Sequence, residues 1–110
     1  MINTATVVGR LGGDPDVRKS ADGVHVAQFS LACNERWKVD EVRRERTHWI
    51  RCSAFGGLAR FCGEYLKKGS RVGVRGSLDY SAWETPDGEK RTSLSLKVRD
   101  LEWLDPKSEE

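Results

Sequence analysis

The chain is poor in the residues from which catalytic and metal centres are built. Its 110 residues hold two histidines, His25 and His48, and three cysteines, Cys33, Cys52 and Cys62. The cysteines are odd in number, far apart and without CxxC spacing. That argues against a disulfide framework and a zinc site, and fits reduced thiols in a cytosolic protein. All three read as small buried hydrophobes. No run approaches the ~20 apolar residues a bilayer span requires, and Met1-Ile2-Asn3-Thr4 lacks the charged, then apolar pattern of a secretory signal. Gly9-Arg10-Leu11-Gly12-Gly13-Asp14 is glycine-rich but lacks the GK[ST] of a phosphate loop. Asp14, Asp16, Asp87 and Asp100 are scattered over turns and termini, with no pairing for metal-assisted hydrolysis. No nucleophile, base and orienting group stand together. The expectation is a protein that is not an enzyme and carries no cofactor. Charge of one sign is missing too. Lysine plus arginine number 19 against 17 aspartates plus glutamates, so net charge alone does not indicate nucleic acid, and the placement of the charges must decide.

What is present is alternation. The length allows one compact domain, and the chain reads as short strands broken by turns, with one helix. Thr6 to Leu11 forms a first strand, stopped by Gly12-Gly13-Asp14-Pro15. Val17-Arg18-Lys19 is a stub that pairs as a small hairpin across the turn Ala21-Asp22-Gly23. Ala27, Phe29, Leu31 and Cys33 alternate with Gln28, Ser30, Ala32 and Asn34, giving one buried and one open face. Alternation stops between Glu35 and Arg46, which reads as a long charged hairpin loop. From Thr47 to Phe55 it resumes: Ile50, Cys52 and Ala54 suit a core, and Trp49, Arg51, Ser53 and Phe55 point the other way. Leu58, Phe61, Cys62, Tyr65 and Leu66 then follow helical spacing up to Lys67-Lys68-Gly69. Two further strands follow: Arg71 to Tyr80, and Ser93 onward to Leu104, separated by a turn at Thr85-Pro86-Asp87-Gly88. Five strands with one helix between the third and fourth is the order of an all-β, five-stranded oligonucleotide-binding (OB) barrel. The domain is expected over residues 1–104, with a short, disordered C-terminus over 105–110.

Trp49 and Phe55 on an open strand face, with Arg51 between them, need a cover. Either they pack under a loop or a neighbouring subunit, or they form a platform on which bases stack, at about 1–3 kcal/mol per base whatever the sequence. Trp37 and Trp83 lie near loops, where a platform would extend. Basic residues flank Trp37: Arg36, Lys38, Arg43, Arg44 and Arg46, interleaved with acids. This loop is either a solvated charged surface or a phosphate clamp. Trp103 is expected to pack or to touch a neighbouring subunit.

The residues together resemble the bacterial single-stranded DNA-binding protein family over about Ile2 to Leu104. The similarity runs through Val8-Gly9-Arg10-Leu11-Gly12, Asp14-Pro15-Asp16-Val17-Arg18, Phe29-Ser30-Leu31-Ala32 and Trp49-Ile50-Arg51-Cys52. It continues through Phe55-Gly56-Gly57-Leu58-Ala59, Glu64 to Ser70, Val74 to Leu78, and Trp83. The resemblance implies a cytoplasmic, nucleoid-associated homotetramer that coats single-stranded DNA in replication, recombination and repair. It places base-stacking aromatics at Trp37, Trp49, Phe55 and Trp83 and phosphate contacts at Arg18, Arg51, Lys67 and Lys68. Placement alone adds Arg36, Lys38, Arg75 and Arg91. Other readings are a primosomal restart protein of the same fold, an OB module for protein contacts, and an RNA-binding role. The chain departs from the family at Asp79-Tyr80-Ser81-Ala82, where basic residues are usual before the last stacking tryptophan. It departs also at Gly57 and at Asp105-Pro106-Lys107-Ser108-Glu109-Glu110, which lacks the apolar tip through which the family recruits partners. Recruitment of replication proteins by this C-terminus is therefore not expected.

Overall fold

The computed structural model describes residues 1–106. It contains β1 (Ala5–Leu11), β2 (Asp16–Lys19), β3 (His25–Val39), β4 (Val42–Phe55), α1 (Gly57–Tyr65), β5 (Arg71–Glu84) and β6 (Lys90–Trp103). Five strands close into a ring in the order β1-β5-β6-β4-β3, and the ring shuts where Arg10 and Leu11 of β1 pair with Ala32 and Leu31 of β3. All pairings are antiparallel except β4 with β6, joined in parallel at Cys52↔Leu96 and Ser53↔Lys97. This is the expected OB barrel. The stub Val17-Arg18-Lys19 does form a hairpin: β2 lies outside the ring on the edge of β3, so the helix falls between the third and fourth barrel strands.

Alternation decides what the ring encloses. Ala27, Phe29 and Leu31 from β3, Cys52 and Ala54 from β4, Val72 and Val74 from β5, and Leu96 and Val98 from β6 are all buried. Each fully buried leucine or valine contributes about 1.5–3 kcal/mol. The helix closes one end with Ala59 and Cys62, and Leu66 follows directly after it. Tyr65, expected on the buried stripe, is instead half-exposed and packs on Phe61 at 5.0 Å and on Trp103 at 6.3 Å between ring centroids. Trp103 thus packs at the base of the barrel. Its indole N–H donates to Asp105, which also accepts the Arg71 backbone N–H, each at 3.0 Å. These two donors hold the Asp105 carboxyl below the usual carboxylate range. Asp105, the first residue of the expected C-terminal segment, thus hydrogen-bonds to β5 and β6, and Lys107 to Glu110 of that segment lie outside the described residues. Cys52 and Cys62 are buried as expected, and burial pushes their thiols up to about 12 and about 11. Cys33 is only partly buried.

The segment Glu35 to Arg46 is not a loop. The β3–β4 register runs unbroken from Val26↔Phe55 to Val39↔Val42, leaving Asp40 and Glu41 as a two-residue turn with φ of 49° and 67°. Positive φ at both positions is the turn geometry whose twist matches a hairpin. Beyond the barrel rim both faces of this ribbon are wet, so the sequence there shows no period although the backbone ladder continues. The same applies to β5 and β6, which stay paired out to Glu84↔Lys90.

One close approach accompanies an irregularity in the β5–β6 pairing. Arg75 pairs with Asp100 but Gly76 with Val98, so Arg99 is an extra residue, a β-bulge. A Cβ at Gly76 would overlap the Lys97 carbonyl oxygen. Gly76→Ala must therefore move backbone, and we expect it to destabilise the fold by about 1–3 kcal/mol or more, read as a lowered midpoint in urea unfolding. Gly13→Ala, where a Cβ meets nothing within 4 Å, is the control.

Candidate nucleic-acid interface

The barrel's outward face over β2, β3, β4 and β6 is set by register. Residues paired across neighbouring strands share a face. One row runs Arg18, Val26, Phe55, and the next runs Asp16, Gln28, Ser53, Lys97. Ser30 faces with Arg51, and Ala32 with Trp49. Trp49, Arg51 and Phe55 thus form one line on β4, with about 20 Å between the outer rings at strand rise. Trp49 is 62% exposed and Phe55 42%. Among the described residues Arg51 makes no ion pair.

Each ring on this line has a fixed neighbour. Trp49 lies against the turn after β1: a Cβ at Gly12 would stand 2.5 Å from its Cζ3. The Gly12 N–H donates to the Ser30 carbonyl at 2.9 Å, which ties that turn to β3. The resulting slot is lined by Gly12, Gly13, Asp14, Gln28, Ser30, Trp49 and Arg51. Phe55 has the Lys97 ammonium 5.2 Å from its ring centroid, within cation–π range. Lys97 was not among the expected site residues. Alternation marked it as outward, but only the parallel β4–β6 pairing, invisible in sequence, sets it beside Phe55.

The two ribbons carry the other tryptophans past the rim. Trp83 pairs with Arg91, and by alternation both belong to the outward side with Ser77, Ser81, Ser93, Ser95 and Lys97. Trp83 is 49% exposed. Trp37 pairs with Arg44, so alternation puts it on the side that carries Leu31 and Cys33 inside the barrel, and puts Arg36 and Lys38 on the side of Trp49. The groove around Trp37 is lined by Arg36, Lys38, Arg43, Arg44 and Glu45.

The remaining cations sort by position. Arg18 lies outward on β2, 3.3 Å from Asp16, on a surface that reaches the Trp49 slot through Gln28. The backbone N–H of Lys68 donates to Asp14 at 2.8 Å and that of Lys67 to the Ser70 hydroxyl at 3.0 Å, so both lysines leave from the loop beside that slot. Arg36 stands 3.7 Å from Glu45, and Arg91 3.0 Å from Glu89. Arg75, like Trp37, is not brought to the face of the aromatic line. Its guanidinium donates twice to Asp100, at 3.0 and 2.6 Å, beside Thr6, Val8 and Leu104 on the β1–β5 side.

Three similarities meet this geometry. The model of the single-strand binding protein family matches residues 2–104. A protein of Xylella fastidiosa, single-stranded DNA-binding protein 1, is 36% identical over 110 residues, spanning 98% of this chain and 81% of its own. The structure of a Plasmodium falciparum SSB complex with ssDNA superposes with a TM-score of 0.88 at 31% identity, covering 96% of each chain. With the match running through every strand of the barrel, the chain belongs to the single-strand binding protein family.

Proposed function

We propose that this chain binds single-stranded DNA without sequence preference, coating and protecting it during replication, recombination and repair. The observation that carries the reading is the line Trp49–Arg51–Phe55 on one exposed strand face, with Lys97 at one ring and the Trp83–Arg91 pair on the same side. Every base has a π-face, so rings spaced along a strand accept any sequence, and cations between them neutralise phosphates. Trp37, Arg36 and Lys38 on the first ribbon and Arg18, Lys67 and Lys68 around the Trp49 slot extend the contact. Arg75, on the β1–β5 side opposite Thr6, has a smaller part than its charge alone suggests. The chemistry asks for no cofactor.

The reading includes a cytoplasmic homo-oligomer, a tetramer, because one barrel offers a short platform. A groove on the β1 side supports it: exposed Val8 and Leu104 flank Gly73, with the Arg75–Asp100 pair at the margin. An apolar floor with both charges at its edge suits a second copy of itself.

Trp49→Ala and Phe55→Ala are each expected to weaken binding to oligo(dT) by about 1–3 kcal/mol while the circular dichroism of the barrel is unchanged. Two folded variants that bind like the parent would end the platform reading. Duplex of equal length should bind poorly, its bases being already stacked on one another, and competition with oligo(U) measures the preference for DNA over RNA.

Because stacking carries much of the affinity, binding should fall with salt at a log–log slope of about −0.7 per phosphate neutralised yet persist at high salt. Complete loss at moderate salt would mean a mainly ionic contact. For assembly, Val8→Arg should shift light scattering from tetramer toward smaller species, and a parent chain that is monomeric at micromolar concentration would count against the oligomer.

A further inference from the structure

The turn after β1 carries two adjacent glycines with opposite surroundings. At Gly13 a Cβ would meet nothing within 4 Å. At Gly12 it would stand 2.5 Å from Cζ3, 3.1 Å from Cη2 and 3.6 Å from Cε3 of Trp49. Neither glycine has a positive φ, so an alanine is compatible with the backbone at both positions. What Gly12 supplies is the absence of a side chain at the Cζ3 edge of the six-membered ring of the indole.

That absence positions the ring. The Gly12 N–H donates to the Ser30 carbonyl, the Leu11 N–H to the Ser70 carbonyl, and the Gly69 N–H to the Leu11 carbonyl, at 2.8–2.9 Å. The Asp14 carboxylate accepts the Lys68 N–H at 2.8 Å. The turn is thus fastened to β3 and to the loop after the helix, and it cannot retreat without breaking these bonds. Trp49 stands on β4, across β3 from the turn, and is otherwise 62% exposed. A large exposed indole would sample several rotamers. Here the backbone of Gly12 forms a stop against the ring's edge for one of them.

We propose that Gly12 is a positioning residue for single-strand binding: its bare backbone seats the indole of Trp49 in the orientation that receives a base. The inference rests on the stacking role proposed for Trp49. Gly12→Ala would push the ring off its seat, and because the displaced atoms are the far end of an exposed side chain, the barrel itself is spared.

The test is a double-mutant comparison of oligo(dT) affinity and thermal midpoint. Gly12→Ala is expected to weaken binding by about fivefold to a hundredfold, the loss of one stacked base, and to diminish the quenching of tryptophan emission on titration. In a Trp49→Phe background, whose shorter ring lacks the atoms nearest Gly12, adding Gly12→Ala should change affinity little. In Trp49→Ala it should change nothing. If Trp49→Ala weakens binding but Gly12→Ala does not, the seating role is wrong while the platform stands. If Trp49→Ala also binds like the parent, both fall. An equal loss from Gly12→Ala in the Trp49→Ala background would mean that the glycine acts without the ring, which overturns the proposal. Should Gly12→Ala unfold the chain, recovery of the thermal midpoint in Trp49→Phe supports the ring contact, and failure to recover overturns it.

Discussion

Closure of the barrel rests on a seam that admits no side chain. At Gly9 a Cβ would stand 2.6 Å from the Ala32 carbonyl oxygen and 3.0 Å from the Cys33 sulfur, so β1 can approach β3 only as glycine. From the next residue, Arg10, the strands pair, and the ring is shut. With the edges joined, the alternation of β3, β4, β5 and β6 turns from a two-sided pattern into an inside and an outside. The inside needs only small and medium residues: alanine, valine, leucine, one phenylalanine and two cysteines. The outside is then obliged to carry whatever stands between them, including Trp49 and Phe55.

A ring of this size uses only part of its longer strands. β3, β4, β5 and β6 have 14 or 15 residues each, whereas the pairing of β1 with β5 spans Ala5↔Gly76 to Arg10↔Arg71. The excess leaves as two antiparallel ribbons, turned at Asp40-Glu41 and near Gly88, the second set off by the bulge at Gly76. Through the ribbons a barrel of modest charge presents aromatic rings well beyond its own radius. Two of their cations face an acid of the same ribbon, Arg36 with Glu45 and Arg91 with Glu89. Such exposed pairs are worth little and exchange readily, so a phosphate can replace the carboxylate without a large penalty. Arg75 differs in place, because β5 sets it opposite Thr6 of β1, away from the aromatic line.

Much of this was legible along the chain. The strands lining the core, the helix, the small hairpin before β3 and the outward line Trp49–Arg51–Phe55 all follow from spacing, because each segment has one dry and one wet face. The ribbon from Glu35 to Arg46 was not legible, since with water on both sides nothing selects apolar residues at alternate positions. Tyr65 was misassigned for a related reason: helical spacing marks it as part of the buried stripe, but the stripe is wider than the barrel mouth, and the edge residue meets Trp103 instead.

The sequence by itself determined which residues are inward and which outward on each strand, because a period of two is a local property of the backbone. It also determined the rings and cations available for contact. Only the tertiary structure decided which of them meet. Lys97 reaches Phe55 through a parallel pairing of strands separated by the helix and by β5. Gly12 meets Trp49 across β3, and Arg75 meets Asp100 beside Thr6 of β1, away from the aromatic line. Each of these contacts joins residues 25 or more positions apart, where neither propensity nor period carries information and only the closing of the ring brings the partners together.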